Sequence, residues 1–308
     1  MDRIVVLVGP TASGKTALSV ALAKRLDGEV ISADSMQLYR GMDIGTAKVT
    51  REEMDGVPHH MVDVCSPEES FSAARYVELA DPILRDILAR GKTAVIAGGT
   101  GLYVDSLISG RSFAPYPETG KRAALEAEAD ARGMEAMLER LRQVDPDSAA
   151  RLHLKDRKRI LRALEVYEET GRTITQHNLE SRQLPDRYTP VWLGLDWDRA
   201  ILYDRINRRV DRMLEQGLLQ ELRGLLEAGV PESCTAMQAI GYKEFLPVLR
   251  GEQTQEAAAD LVRQESRRYA KRQLTWFRRN SQIHWLPCTP QQTTQALLEL
   301  ALAQIPFR

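Results

Sequence analysis

Gly9, Pro10, Thr11, Ala12, Ser13, Gly14, Lys15 and Thr16 carry the spacing G-x-x-x-x-G-K-[ST], the pattern of a loop that binds a diphosphate or triphosphate. The residue types explain the chemistry. Glycines let successive backbone N–H groups turn inward as a cradle for phosphate oxygens. A helix starting at the end of such a loop adds unpaired N–H groups and a dipole that favour the same anion. Lys15 supplies a mobile positive charge, and the Thr16 hydroxyl is placed to hold a Mg²⁺ ion. A glycine turn that merely closes a strand–helix corner is the plainer alternative, and the complete motif weighs against it. Asp34 is the second candidate, because it ends the apolar stretch that starts at Glu29. In parallel α/β sheets ligands gather outside the carboxyl ends of strands, so Asp34 is expected to face the same crevice as Lys15. A carboxylate there can take a proton from a nucleophile or assist a metal, and the residues alone leave both open.

The elements that must position these groups follow from hydrophobic periodicity. Ile4 to Val8 reads as a buried strand, Thr16 to about Leu26 as a helix, and Glu29 to Asp34 as a second strand. A short third strand is expected over 58–64. Its adjacent His59 and His60 point to opposite faces and cannot easily share a metal, so they are read as structural. Ser70 is expected to cap a helix that Gly91 closes, and Thr93 to Ala97 to form a fourth strand delivering Gly98-Gly99-Thr100-Gly101 into the crevice. The βαβαβ order implies an α/β fold, a P-loop NTPase-like, doubly wound parallel sheet. Texture changes at 114–117. From there to 187 no strand signal appears, and short helices are expected at 118–132, 133–143, 146–153, 156–170 and 173–182. A strand at 190–195 then resumes the core, followed by helices at 198–216, 218–228, 241–250 and 255–279, a strand at 283–286 and a terminal helix. The organisation expected is a core in two parts, 1–113 and 188–308, with an inserted all-helical domain at 114–187.

Bulk properties narrow the classes. The chain has 308 residues, 43% hydrophobic and 28% charged, with a net charge of −1, so any nucleic-acid signal must be local rather than global. Cys65, Cys234 and Cys288 are widely separated, which argues against a disulfide framework or zinc site and suits a reducing cytoplasm. No apolar run approaches the ~20 residues of a membrane span, and no signal peptide is expected.

Positive charge collects in two places. Arg151, Lys155, Arg157, Lys158, Arg159 and Arg162 are opposed only by Asp156. Arg263, Arg267, Arg268, Lys271, Arg272, Arg278 and Arg279 are opposed only by Glu265 and interleaved with Tyr269, Trp276 and Phe277. That mixture suits contact with phosphates and unstacked bases, although a basic helix is more often a solvated face. A nucleotide-driven motor would also show a later apolar strand ending in Asp; here 93–97 ends in Gly-Gly-Thr, which favours transfer chemistry over motor chemistry.

Together with the phosphate loop, Asp34-Ser35-Met36-Gln37, Gly41-Met-Asp-Ile-Gly-Thr-Ala-Lys48, Gly98-Gly-Thr-Gly-Leu-Tyr103 and Arg272-Gln-Leu-Thr-Trp-Phe-Arg278 make the chain resemble the tRNA dimethylallyltransferases, or tRNA isopentenyltransferases. The resemblance runs over nearly the whole chain. It implies transfer of a dimethylallyl group from dimethylallyl diphosphate to the N6 amine of the adenine 3′ to the anticodon, with diphosphate released. By that resemblance the glycine loop holds the allylic diphosphate, Mg²⁺ sits at Thr16, and Asp34 is the base, with Lys15, Thr16 and Thr100 completing the catalytic set. Asp34, Ser35, Met36, Gln37 and Thr100 are also implied to meet the tRNA anticodon stem-loop. So are Arg122, Lys158, Arg159, Ile160, Leu161 and Arg162 of the insertion, and Gly241, Tyr242 and Lys243. Among Arg205, Arg208 and Arg209, the last is favoured for holding diphosphate. A soluble cytoplasmic monomer is implied. The alternatives are a P-loop nucleotide kinase, a prenyltransferase of free adenine nucleotides, and an RNA-binding protein with a vestigial loop.

Overall fold

The computed structural model describes residues 2–110, 119–183 and 186–306. The first apolar run forms β1 (Ile4–Val8), buried along its whole length, as expected of a parallel strand covered on both faces. It leads through the glycine loop into α1 (Lys15–Arg25), β2 (Gly28–Ala33), α2 (Arg51–Met54), β3 (His59–His60), α3 (Ala73–Ala89), β4 (Thr93–Gly98) and α4 (Gly101–Ser109). Helices α5 (Lys121–Val144), α6 (Pro146–Arg151), α7 (Arg157–Thr170) and α8 (Ile174–Gln183) follow. The chain ends with β5 (Val191–Trp197), α9 (Arg199–Glu215), α10 (Leu218–Glu227), α11 (Leu246–Leu249), α12 (Gln255–Phe277), β6 (His284–Cys288) and α13 (Thr294–Leu302).

The six strands form one sheet in the order β3-β2-β4-β1-β5-β6. Every neighbouring pair is parallel. Because β1 lies between β4 and β5, the glycine loop opens at the middle of the carboxyl edge, where β2 and β4 also end. One hydrophobic cluster covers one side of the sheet and draws on α3, α4, α9, α10 and α12. A second packs α1 and α13 against the other.

By its contacts the chain divides into two compact units, 1–108 with 188–308, and 109–187. Among its described residues the second has helices and their connections but no strand, and it has its own core, in which Leu125, Met137, Leu141, Ile160, Leu161 and Leu164 meet. Among the described residues no helix is long and apolar enough to cross a membrane.

Several elements differ from the sequence reading. Strand β3 shortens to two residues, and its histidines hold the fold: His60 Nε2 meets Glu29 at 2.8 Å and His59 Nδ1 meets the Val57 carbonyl at 2.9 Å. Ser72, not Ser70, caps α3, its hydroxyl accepting the Arg75 N–H. Gly133, by contrast, behaves as expected: at φ 81° and ψ 164° it is non-helical and separates two helical segments within α5. The helix expected over 241–250 reduces to Leu246–Leu249, since Gly241 sits at φ 101° and the chain turns through 242–245. The expected start of the insertion, at 113/114, lies outside the described residues.

Candidate active site

The glycine loop is shaped by contacts on its outer side. Ala12 is held at a left-handed φ of 61°, a conformation unfavourable for a residue with a Cβ. Its carbonyl accepts the Arg205 Nε at 2.8 Å, and the next carbonyl, of Ser13, accepts the Trp197 indole N–H at 2.9 Å. The Arg205 guanidinium lies 4.3 Å over the Trp197 ring. These bonds hold the Ala12 and Ser13 carbonyls to α9 and β5 on the outside of the loop, while the Ser13 N–H turns back to the Pro10 carbonyl at 3.3 Å. From the sheet side, Gln273 of α12 accepts the Thr11 N–H at 2.9 Å and donates to the Gly99 carbonyl at 3.0 Å, tying the ends of β1 and β4 together.

Lys15 folds back over this loop and donates to the Gly9 and Pro10 carbonyls at 3.0 and 2.8 Å. Burial lowers its pKa to about 8; the Asp34 carboxylate opposes the shift and the Arg209 guanidinium adds to it. Asp34 begins the loop after β2 and accepts the Met36 N–H at 2.9 Å, which fixes the turn but leaves one carboxylate oxygen outside that bond. Thr100 accepts the Ser35 N–H at 3.0 Å, locking the loops after β2 and β4 to each other. Tyr269 lies beside Thr100 and Gln273, its phenol pushed up to about 12 by burial and by the Asp34 charge.

Asp34, Ser35, Met36, Thr11, Thr46, Arg209, Lys243, Tyr269 and Arg272 open onto one pocket of about 300 Å³. Ile206, Val210, Met213, Ala239, Ile240 and Val262 give it an apolar side, and Gly45, Gln238 and Ser266 complete the lining. Of the three arginines considered, only Arg209 lines this pocket, with Nη1 3.5 Å from the Thr11 hydroxyl and Nη2 3.4 Å from the Thr46 carbonyl. Arg205 serves the outside of the loop, and Arg208 is exposed and paired with Asp204 at 2.8 Å.

The residues expected to meet tRNA separate into two kinds. Lys158, Arg159 and Lys243 are exposed. Ile160, Leu161 and Tyr242 are not: all three are fully buried, so their side chains serve the cores and are withdrawn from any partner. Gly241 is buried as well and supplies a turn. Arg122 and Arg162 converge on the buried Glu165, at 3.8 and 2.9 Å, so much of their charge is already neutralised. Gln37 turns inward, its amide reaching the Ala47 carbonyl at 3.2 Å.

Sequence reasoning missed Trp197 and the loop-shaping role of Arg205, and it gave Gln273, though inside the quoted 272–278 motif, no role of its own. A lone glutamine or tryptophan has no periodic or spacing signature; only the fold brings them to the loop.

Among the described residues no three His, Cys, Asp or Glu side chains cluster as a metal site. A cation here would be held by the Thr16 hydroxyl and by substrate phosphate oxygens. That donor set fits Mg²⁺, which keeps most of its water and takes few protein ligands.

A phosphate loop on a parallel sheet, with a carboxylate at the next strand end, defines a P-loop protein. The comparisons with known proteins agree. A family model described as IPP transferase matches residues 37–280. The chain is 47% identical over 287 residues to the tRNA dimethylallyltransferase of Acetivibrio thermocellus, covering 93% of this chain and 92% of that one. It is 47% identical over 300 residues to that of Halalkalibacterium halodurans, covering 97% and 95%. Among solved structures it is similar to the full-length tRNA isopentenylpyrophosphate transferase of Bacillus halodurans, with a TM-score of 0.73, 45% identity and coverage of 99% and 97%. It is also similar to a eukaryotic dimethylallyltransferase acting on tRNA, with a TM-score of 0.84, 30% identity and coverage of 97% and 77%. The chain belongs to the tRNA dimethylallyltransferase (IPP transferase) family.

Proposed function

We propose that this protein transfers the dimethylallyl group of dimethylallyl diphosphate to the N6 amine of the adenine 3′ to the anticodon in tRNA, releasing diphosphate. The observation that carries this is the pocket, where Asp34, Arg209 and Thr11 share a cavity with an apolar wall. A nucleotide's γ-phosphate has no use for that wall; a five-carbon allylic tail does. The electrostatics fit the reaction. An exocyclic adenine amine is a weak nucleophile, because its lone pair is delocalised into the ring, and it must lose a proton as the N–C bond forms. Asp34 is the carboxylate in reach of that proton. On the donor side the C–O bond breaks and negative charge grows on the diphosphate. The glycine loop, Lys15 and Arg209 would receive that charge. Mg²⁺ bound at Thr16 would supply further neutralisation of the leaving diphosphate.

Action as a cytoplasmic monomer is part of the same proposal, and the free Cys65, Cys234 and Cys288 suit a reducing cytoplasm.

One incubation tests the proposal: labelled dimethylallyl diphosphate and Mg²⁺ with undermodified tRNA or with AMP. Label is expected in tRNA and not in AMP. Label in AMP alone, or ATP consumption without transfer, would overturn it. Asp34→Asn is expected to lower kcat by roughly 10²–10⁴, the usual share of a general base, with tRNA affinity retained. An unchanged rate would remove Asp34 from the chemistry.

A further inference from the structure

Glu221, in the first turn of α10, spends its carboxylate on a loop far away in the sequence. Oε2 accepts the Asp43 and Ile44 N–H groups at 2.8 and 2.7 Å, and Oε1 accepts the Gly45 N–H at 3.1 Å. Three successive N–H groups thus converge on one anion, the geometry of a backbone nest. A fourth donor, the buried Tyr242 hydroxyl, reaches Oε1 at 2.6 Å. The Tyr242 ring lies against Gly45 so closely that a Cβ there would stand 2.4 Å from it.

Gly45 and Thr46 line the substrate pocket. The Thr46 carbonyl is one of the two acceptors of Arg209, the other being Thr11 on the glycine loop. An arginine held between two loops is only as well placed as those loops. The glycine loop has its own supports in Arg205, Trp197 and Gln273. Around Thr46, the Thr46 hydroxyl donates to the Met42 carbonyl at 2.6 Å, Lys48 meets Asp43 at 2.6 Å and the Gln37 amide reaches the Thr46 and Ala47 carbonyls at 3.5 and 3.2 Å. The N–H groups of 43–45 are held by the Glu221 carboxylate.

We propose that Glu221 is a positioning residue of the donor site: by anchoring 43–45 it sets the Thr46 carbonyl, and through it places the Arg209 guanidinium against the diphosphate. The inference rests on the proposed function, since it takes Arg209 as a diphosphate ligand. It assigns a role in donor binding to a side chain that touches no substrate. An amide could not replace this carboxylate, because its one oxygen cannot accept four donors and its NH₂ would face N–H groups.

The test compares the parent protein with Glu221→Gln, Arg209→Lys and the double variant, reading inorganic diphosphate binding by calorimetry in Mg²⁺ buffer and steady-state kinetics with tRNA. Glu221→Gln is expected to weaken diphosphate binding and raise the donor KM roughly tenfold, the scale of one lost charge-assisted hydrogen bond. The tRNA KM is expected to stay within twofold of the parent. The double variant should bind diphosphate no worse than Arg209→Lys alone, because both changes remove the same interaction. Tyr242→Phe, which keeps the ring and removes one donor, should shift diphosphate binding in the same direction by less, and it carries the test if Glu221→Gln does not fold. Diphosphate affinity within twofold of the parent in the folded variants, losses that multiply in the double variant, or an Arg209→Lys protein with parental diphosphate binding would each overturn the proposal. A parent that transfers no label to tRNA would end the functional reading, while the expected diphosphate losses would still uphold the positioning role.

Discussion

Lys15 donates to two loop carbonyls, and its burial holds its pKa near 8, below the ordinary lysine value. A diphosphate binds the charged form, so donor capture should be intact below pH 8 and fall as pH rises through it. The expected profile of kcat/KM for the donor is an alkaline limb near pH 8, steepening to roughly tenfold per unit beyond it, since kcat/KM reports the free enzyme. Lys15→Ala should raise the donor KM and lose that limb. A limb that survives in Lys15→Ala would assign it to another group, and normal donor saturation would contradict the loop's role.

The long helix α12 is the element that joins the loops of the site. Gln273 bridges the loops after β1 and β4, and Tyr269, one turn earlier, lies beside Thr100. One turn later, Trp276 donates to Asp105 at 2.9 Å and covers Gly101. A Cβ at Gly101 would stand 2.2 Å from the indole, so Gly101→Ala must displace the ring. Overpacking of this kind costs about 1–3 kcal/mol, which for a domain of this size lowers Tm by roughly 2–10 °C. Because the fault is one clash, Gly101→Ala combined with Trp276→Ala should melt with Trp276→Ala alone; additive losses in differential scanning fluorimetry would show that Gly101 has another duty. None of this could be seen in the sequence, because the Thr11–Gln273 bond spans 262 positions and that from Asp43 to Glu221 spans 178. What could be seen was local. Lys15, Thr16 and Asp34 announce themselves by spacing and by the strand they follow, and the buried strands by their apolar runs. The helix reading failed where tertiary contacts overrode local pattern, as at Gly241, which breaks a helix that periodicity favours; Ile160 and Leu161, which the resemblance grouped with Lys158 and Arg159, lie on the buried side of α7.

At the scale of the molecule, a near-neutral chain has to present local positive charge, and pairing decides which cations are available. Within the helical unit Arg157 pairs with Asp130 at 2.7 Å, and Arg162 lies 2.9 Å from Glu165, which is only 8% exposed. Reversing Arg162 would strand that carboxylate beside another negative charge, and the loss would be one of folding. Lys158 and Arg159 are exposed on the first turn of α7, with only a 3.4 Å contact between Arg159 and Asp156. They are therefore the informative pair. If this face meets RNA phosphates, Lys158→Glu with Arg159→Glu should weaken tRNA binding at low salt. The slope of log K against log salt should flatten by roughly 0.7–0.9 for each phosphate contact removed. Diphosphate binding should not change, because every residue lining the pocket belongs to 1–108 and 188–308. Filter binding across a salt series separates the outcomes. Weaker binding with a flattened slope places phosphates on this helix, whereas parallel lines for parent and variant would assign the charge of α7 to solvation alone.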